Sequence, residues 1–111
     1  VLVTFWASWC TACKEELPVL EAFYRAHQDE DFLLIGVNTG ESPQDAAGYI
    51  AEQGFTFLAW SDPAGNQMIK VGARGLPYSF IVDREGRRIA TWYGGATEEF
   101  LEEAVGLKRG E

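Results

Sequence analysis

Soft metal ligands are scarce in this 111-residue chain, which has two cysteines, one histidine and one methionine. Two thiols and a lone His27 cannot complete a four-ligand zinc site from nitrogen and sulfur, so no metal site is expected. Cations are scarce too: nine Lys and Arg stand against seventeen Asp and Glu, a net charge of −8. Nucleic acids and anionic lipid surfaces are bound through clustered cations, so neither is an expected partner. Apolar runs reach only a few residues, whereas a helical span needs about 20, so this domain is not expected to insert stably in a membrane. Repeats, low-complexity segments and linkers are missing as well. The chain has no initiator Met and starts inside an apolar stretch. The expectation is a trimmed domain whose export signal, anchor or leading strand lies upstream. What remains is 47% hydrophobic and 14% aromatic, enough for one folded core and unlike a disordered chain.

Both cysteines fall in Cys10-Thr11-Ala12-Cys13, after the apolar Val1–Trp6 and at the start of a helix-forming segment. Residues at i and i+3 of a first helical turn share a face, which brings the two sulfurs within bonding reach. Cys10 falls at the helix N-terminus, where free N–H groups and the dipole stabilise a thiolate. A lowered thiol pKa makes Cys10 the attacking sulfur, with Cys13, one turn inside, as the resolving one. A purely structural disulfide is the competing reading. Closing so short a loop removes little unfolded-state entropy, about 2 kcal/mol, so the context favours redox chemistry.

The remaining pattern alternates strands and helices. Residues 1–7 read as a buried strand and Thr11–His27 as a helix with an apolar stripe through Leu17, Leu20 and Tyr24. Pro18 predicts a kink, because it removes the bond to the Lys14 carbonyl. Phe32–Val37 reads as a second strand, parallel to the first through a βαβ crossover. Ser42 and Pro43 mark the cap and first residue of a helix that Gly54 ends after about Gln53. Phe55–Trp60 reads as a short strand, Asp62–Asn66 as a turn, and the segment to Val71 as a brief helix. Tyr78–Val82 and Arg87–Tyr93 form a hairpin around Asp83–Gly86. Thr97 caps a last helix with a core face of Phe100, Leu101, Ala104, Val105 and Leu107. The architecture implied is a three-layer α/β sandwich around a mixed sheet, with residues 1–111 as one domain.

Four stretches in order resemble the thioredoxin superfamily, and within it the extracytoplasmic TlpA/ResA-like thiol-disulfide oxidoreductases. They are Phe5–Cys10 with Cys13–Pro18, Val37–Ser42, Asp62–Leu76, and Pro77–Asp83 with Gly86. The resemblance implies a thioredoxin fold with a TlpA-like helix–strand insertion after Val37. It implies Cys10 as attacking thiol, Cys13 as resolving thiol, and Pro77 as a cis-proline against the disulfide. A proline there donates no N–H, which leaves the backbone of Leu76 to pair with an extended substrate. Trp9 becomes a wall of the substrate groove and Trp6 a core residue. Glu41 matches an acidic residue near the cysteines and would accept or return a proton at Cys13; an ordinary loop glutamate before the Ser42 cap is the alternative. His27 and Lys14 are read as helix residues without a catalytic part. Thr4 stands where plain thioredoxin has a buried Asp, which shifts weight to Glu41. Ala12 and Tyr78 also depart from the common pattern, at positions that influence reduction potential and substrate preference.

The function implied is disulfide exchange with protein thiols and disulfides, with no cofactor beyond the redox-active Cys10–Cys13 pair. The resemblance further implies a reductant of the cytochrome c maturation type in the periplasm or another extracytoplasmic space. It would be tethered through an upstream segment, fed by a membrane electron donor, and monomeric. Two other readings compete: a thiol peroxidase working through a sulfenic acid at Cys10, and a binding module or Cu(I)-handling protein using two soft thiolates.

Overall fold

Residues 1–106 are described by a computed structural model. The uniformly apolar start becomes β1 (Leu2–Trp6), and helix α1 (Thr11–Ala26) follows the cysteine pair. α1 runs on through Pro18, with His27 as its C-cap. Next come β2 (Leu34–Thr39), α2 (Pro43–Gln53), β3 (Leu58–Asp62) and α3 (Asn66–Lys70). The hairpin β4 (Tyr78–Val82) and β5 (Arg88–Tyr93) precedes α4 (Glu98–Val105). Leu107, expected on the core face of α4, lies outside the described residues.

The sheet order is β3-β2-β1-β4-β5. β1, β2 and β3 run parallel, and β4 and β5 add antiparallel partners, giving the expected mixed sheet. Side chains alternate between faces along each strand, which splits the core in two. On one face Leu17, Leu20 and Phe23 of α1 pack with Leu2, Trp6, Leu34, Ile81 and Leu101. On the other, Phe5, Ile35, Val37, Tyr78 and Phe80 meet Met68 of α3.

The insertion between β2 and β3 follows its sequence signals closely. Ser42 Oγ accepts the N–H of Asp45 at 3.1 Å, Pro43 opens the helix, and Gly54 closes it in the left-handed region at φ 72°. β2 and β3 both sit later in the chain than expected, ending at Thr39 and Asp62 instead of Val37 and Trp60. β2 begins at Leu34, because Phe32 turns inward edge-on to Phe23, with ring centres 5.3 Å apart. β3 begins at Leu58 because Phe55 and Phe57 stack as core residues at 5.4 Å. The backbone between them is held by the Glu21 carboxylate, which accepts the N–H groups of Thr56 (2.9 Å) and Phe57 (3.2 Å). Gly36 makes room for this turn: a Cβ there would lie 2.5 Å from the Phe57 ring.

Register fixes where the chemistry sits. Trp6 at the end of β1 pairs with Asn38 near the end of β2, and Phe5 pairs with Tyr78 at the start of β4. The segments 7–10, 40–42 and 75–77 therefore leave the sheet at the same end.

Candidate active site

Cys10 is the N-cap of α1, in extended backbone (φ −90°, ψ 108°). Its Sγ accepts the N–H of Cys13 at 3.2 Å, a free donor that every helix start leaves over. The two residues are joined as a disulfide, with Cα atoms 5.2 Å apart. The two residues differ in access: Cys10 is 7% exposed and Cys13 is 0% exposed. The first turn of α1 carries no acidic residue, so nothing within it offsets the positive end of the dipole.

Glu41 reaches the turn before Cys10. One carboxylate oxygen accepts the Ser8 N–H at 2.7 Å and the Asn38 Nδ2 at 2.8 Å. The other accepts the Ser8 hydroxyl at 2.5 Å. Burial alone would raise this carboxyl's pKa, but donors from Ser8 and Asn38, with the Lys14 charge, hold it below the ordinary value. The arrangement keeps Glu41 ionised and ties the end of β2 to the Ser8–Trp9 turn. Trp9, next along, is 67% exposed beside Cys10, whereas Trp6 is fully buried.

A second carboxyl lies on α1, one helical turn on from Cys13. Glu16 shares the buried face of α1 with Cys13, Leu17 and Leu20 and is almost wholly enclosed. The Thr4 hydroxyl donates to its Oε1 at 3.4 Å and lies 2.9 Å from the Ser79 hydroxyl. Burial pushes the Glu16 pKa up to about 7, against the opposing pull of Trp92, Thr4 and Ser79. Oε2 of Glu16 and Nε1 of Trp92 are both buried without a partner in hydrogen-bond geometry. A carboxyl that titrates near neutrality, one helical turn from Cys13, can take or return a thiol proton. Sequence reasoning passed over Glu16 as part of a motif. The available signal was its place inside the apolar stripe, with the uncharged Thr4 opposite.

The Leu76–Pro77 peptide bond is cis, and Pro77 is fully buried while Leu76 is half-buried. Gly94 N–H donates to the Pro77 carbonyl at 3.0 Å. His27 lies at the far end of α1, its ring tilted against Phe23 with centres 4.3 Å apart and Nδ1 3.1 Å from Glu30. Among the described residues, no cluster of His, Cys, Asp and Glu could hold a metal ion, and no helix is long and apolar enough to cross a membrane.

The Redoxin family profile matches residues 1–105. The thiol:disulfide interchange protein HelX of Rhodobacter capsulatus is 33% identical over 94% of this chain and 57% of its own length. The thiol-disulfide oxidoreductase ResA of Halalkalibacterium halodurans is 27% identical over 100% of this chain and 63% of its own length. The chain thus spans about three-fifths of these curated relatives. The crystal structure of StoA from Bacillus subtilis superposes with a TM-score of 0.83 at 32% identity, covering 94% of this chain and 80% of that one.

Proposed function

The chain belongs to the redoxin family, with the thioredoxin fold of TlpA/ResA-like proteins, and from that premise we propose that it exchanges disulfides with protein substrates. The observation that carries this reading is the position of Cys10: helix N-cap, disulfide-bonded to Cys13, and the more accessible of the two cysteines.

In the reduced form the Cys10 thiolate attacks one sulfur of a substrate disulfide. The other substrate sulfur leaves as a thiolate and takes a proton, so a mixed disulfide joins Cys10 to the substrate. Cys13 then attacks Cys10 Sγ, the substrate's remaining sulfur leaves, and two electrons have passed to the substrate. Glu16 accepts the proton Cys13 must lose, a task suited to a group titrating near 7. Glu41 positions the Ser8–Trp9 turn, and with three donors on it and a lowered pKa it is a weaker proton acceptor than Glu16. Trp9 and the Leu76–Pro77 backbone flank the substrate chain.

The redox group is the disulfide itself, with no further cofactor. The names of HelX and ResA support thiol-disulfide exchange over peroxide reduction or Cu(I) carriage. We further propose, as the finer part of this reading, a monomeric domain over residues 1–111 that acts as an extracytoplasmic reductant of the cytochrome c maturation type and is recharged by a membrane electron donor. Cys13→Ser tests the assigned order. It should accumulate a mixed disulfide through Cys10 that dithiothreitol releases. A variant that traps nothing, or a trapped species that persists when Cys10 is also replaced, overturns the roles.

A further inference from the structure

The loop into the cis-proline is held from behind by two tyrosines whose hydroxyls the exchange chemistry does not use. Tyr78, directly after Pro77, donates its hydroxyl proton to the Val71 carbonyl at 3.3 Å. Arg88 Nη1 donates to the same hydroxyl at 2.7 Å. A phenol has one proton, so a donor on its oxygen directs that proton to Val71. Arg88 is itself fixed over the Phe80 ring, 4.4 Å from its centre. Tyr93 pairs with Tyr78 across the hairpin, with rings 4.9 Å apart, and its hydroxyl accepts the Arg74 N–H at 3.1 Å. The next residue, Gly94, holds the Pro77 carbonyl. The end of β5 thus grips both ends of Arg74–Pro77. Between the grips, Leu76 enters none of the turn and loop backbone hydrogen bonds among the described residues. Its backbone groups remain for another chain.

The geometry points to Tyr78 and Tyr93 as positioning residues for substrate: their hydroxyls set the line along which the Leu76 backbone is offered to an extended peptide. This rests on the exchange reading above and adds to it only the two hydroxyls that aim the Leu76 backbone at the chain around the target cysteine. Glycine at 75 leaves the strand direction there unconstrained by its own side chain, so the latch supplies the constraint.

The test compares two probes with the same leaving group. One is an extended peptide whose single cysteine is bonded to thionitrobenzoate; the other is cysteamine bonded to thionitrobenzoate, which has no peptide chain. Reduced protein releases the yellow thiol from each as Cys10 forms a mixed disulfide. Wild type should react faster with the peptide. Tyr78→Phe and Tyr93→Phe, which keep both rings, should each slow the peptide reaction about three- to tenfold, the loss expected for one hydrogen bond. The cysteamine reaction and the reduction potential should stay within twofold. Equal slowing with both probes, or no slowing with the peptide, overturns the inference. A wild type that treats the two probes alike also overturns it while leaving disulfide exchange intact. A wild type that reacts with neither removes the exchange reading itself.

Discussion

Glu16 and Glu41 show how the same side chain takes opposite parts in different surroundings. The Glu16 carboxyl keeps its proton up to about pH 7 in the folded protein, whereas in the unfolded chain it loses it near 4.5. Between those values the native state binds the extra proton, so stability falls as pH rises through this window. The full shift corresponds to about 3 kcal/mol lost by pH 8. Glu16→Gln should therefore raise the stability of the oxidised protein at pH 8 by up to about 3 kcal/mol and change it little at pH 4, read from urea melts. The same variant should slow resolution of a mixed disulfide and erase an inflection near pH 7 in that step. An unchanged pH profile would mean that Cys13 gives its proton elsewhere. Glu41 has the reverse sign. Its lowered pKa marks stability that is present above the ordinary carboxyl range and is lost as pH falls through the folded value. Glu41→Ala should cost about 1 kcal/mol at pH 7, the net worth of a hydrogen bond, with the deficit narrowing in acid. The family resemblance directed attention to Glu41, while its loop position alone suggested only a residue before the Ser42 cap. The helical stripe hints that Glu16 is buried, but the Thr4 and Ser79 hydroxyls that surround it come from two strands and local spacing does not show them.

Among the elements, α1 and α2 were the most legible, because their ends are written in local chemistry. Cys10 caps one by accepting an N–H, and Ser42, Pro43 and Gly54 delimit the other. Ser42→Ala should cost about 1 kcal/mol, measurable as a shifted urea midpoint with an unchanged slope. The edges of β2 and β3 were less legible because Phe32, Phe55 and Phe57 have strand propensity yet serve as core plugs. What holds them is non-local: Glu21 on α1 binds the backbone of Thr56 and Phe57. The contact between β2 and this turn is tight. Gly36→Ala places a methyl 2.5 Å from the Phe57 ring and should destabilise by about 1–3 kcal/mol. A neutral result in the same melts would show that the Phe57 ring yields freely.

For the whole molecule, the mixed sheet brings three separate segments to one end: the cysteine turn, the Glu41 loop and the cis-proline loop. The order of elements and the alternation of helix and strand were readable from the chain, and so was the fold class. The distribution of work within the site was not, since it follows from which side chains the two core faces enclose. The net charge of −8 leaves an acidic exterior, which suits encounter with basic or neutral protein surfaces more than with phosphate or anionic lipid. Disulfide exchange by this chain stands on one redox couple. Its most direct test is the equilibrium reduction potential of Cys10–Cys13, titrated in thiol buffers and followed by tryptophan fluorescence. The expected result is a single reversible two-electron transition below about −200 mV that disappears in Cys10→Ser and in Cys13→Ser alike. A chain with no reversible transition, or one whose transition survives loss of either cysteine, would contradict it.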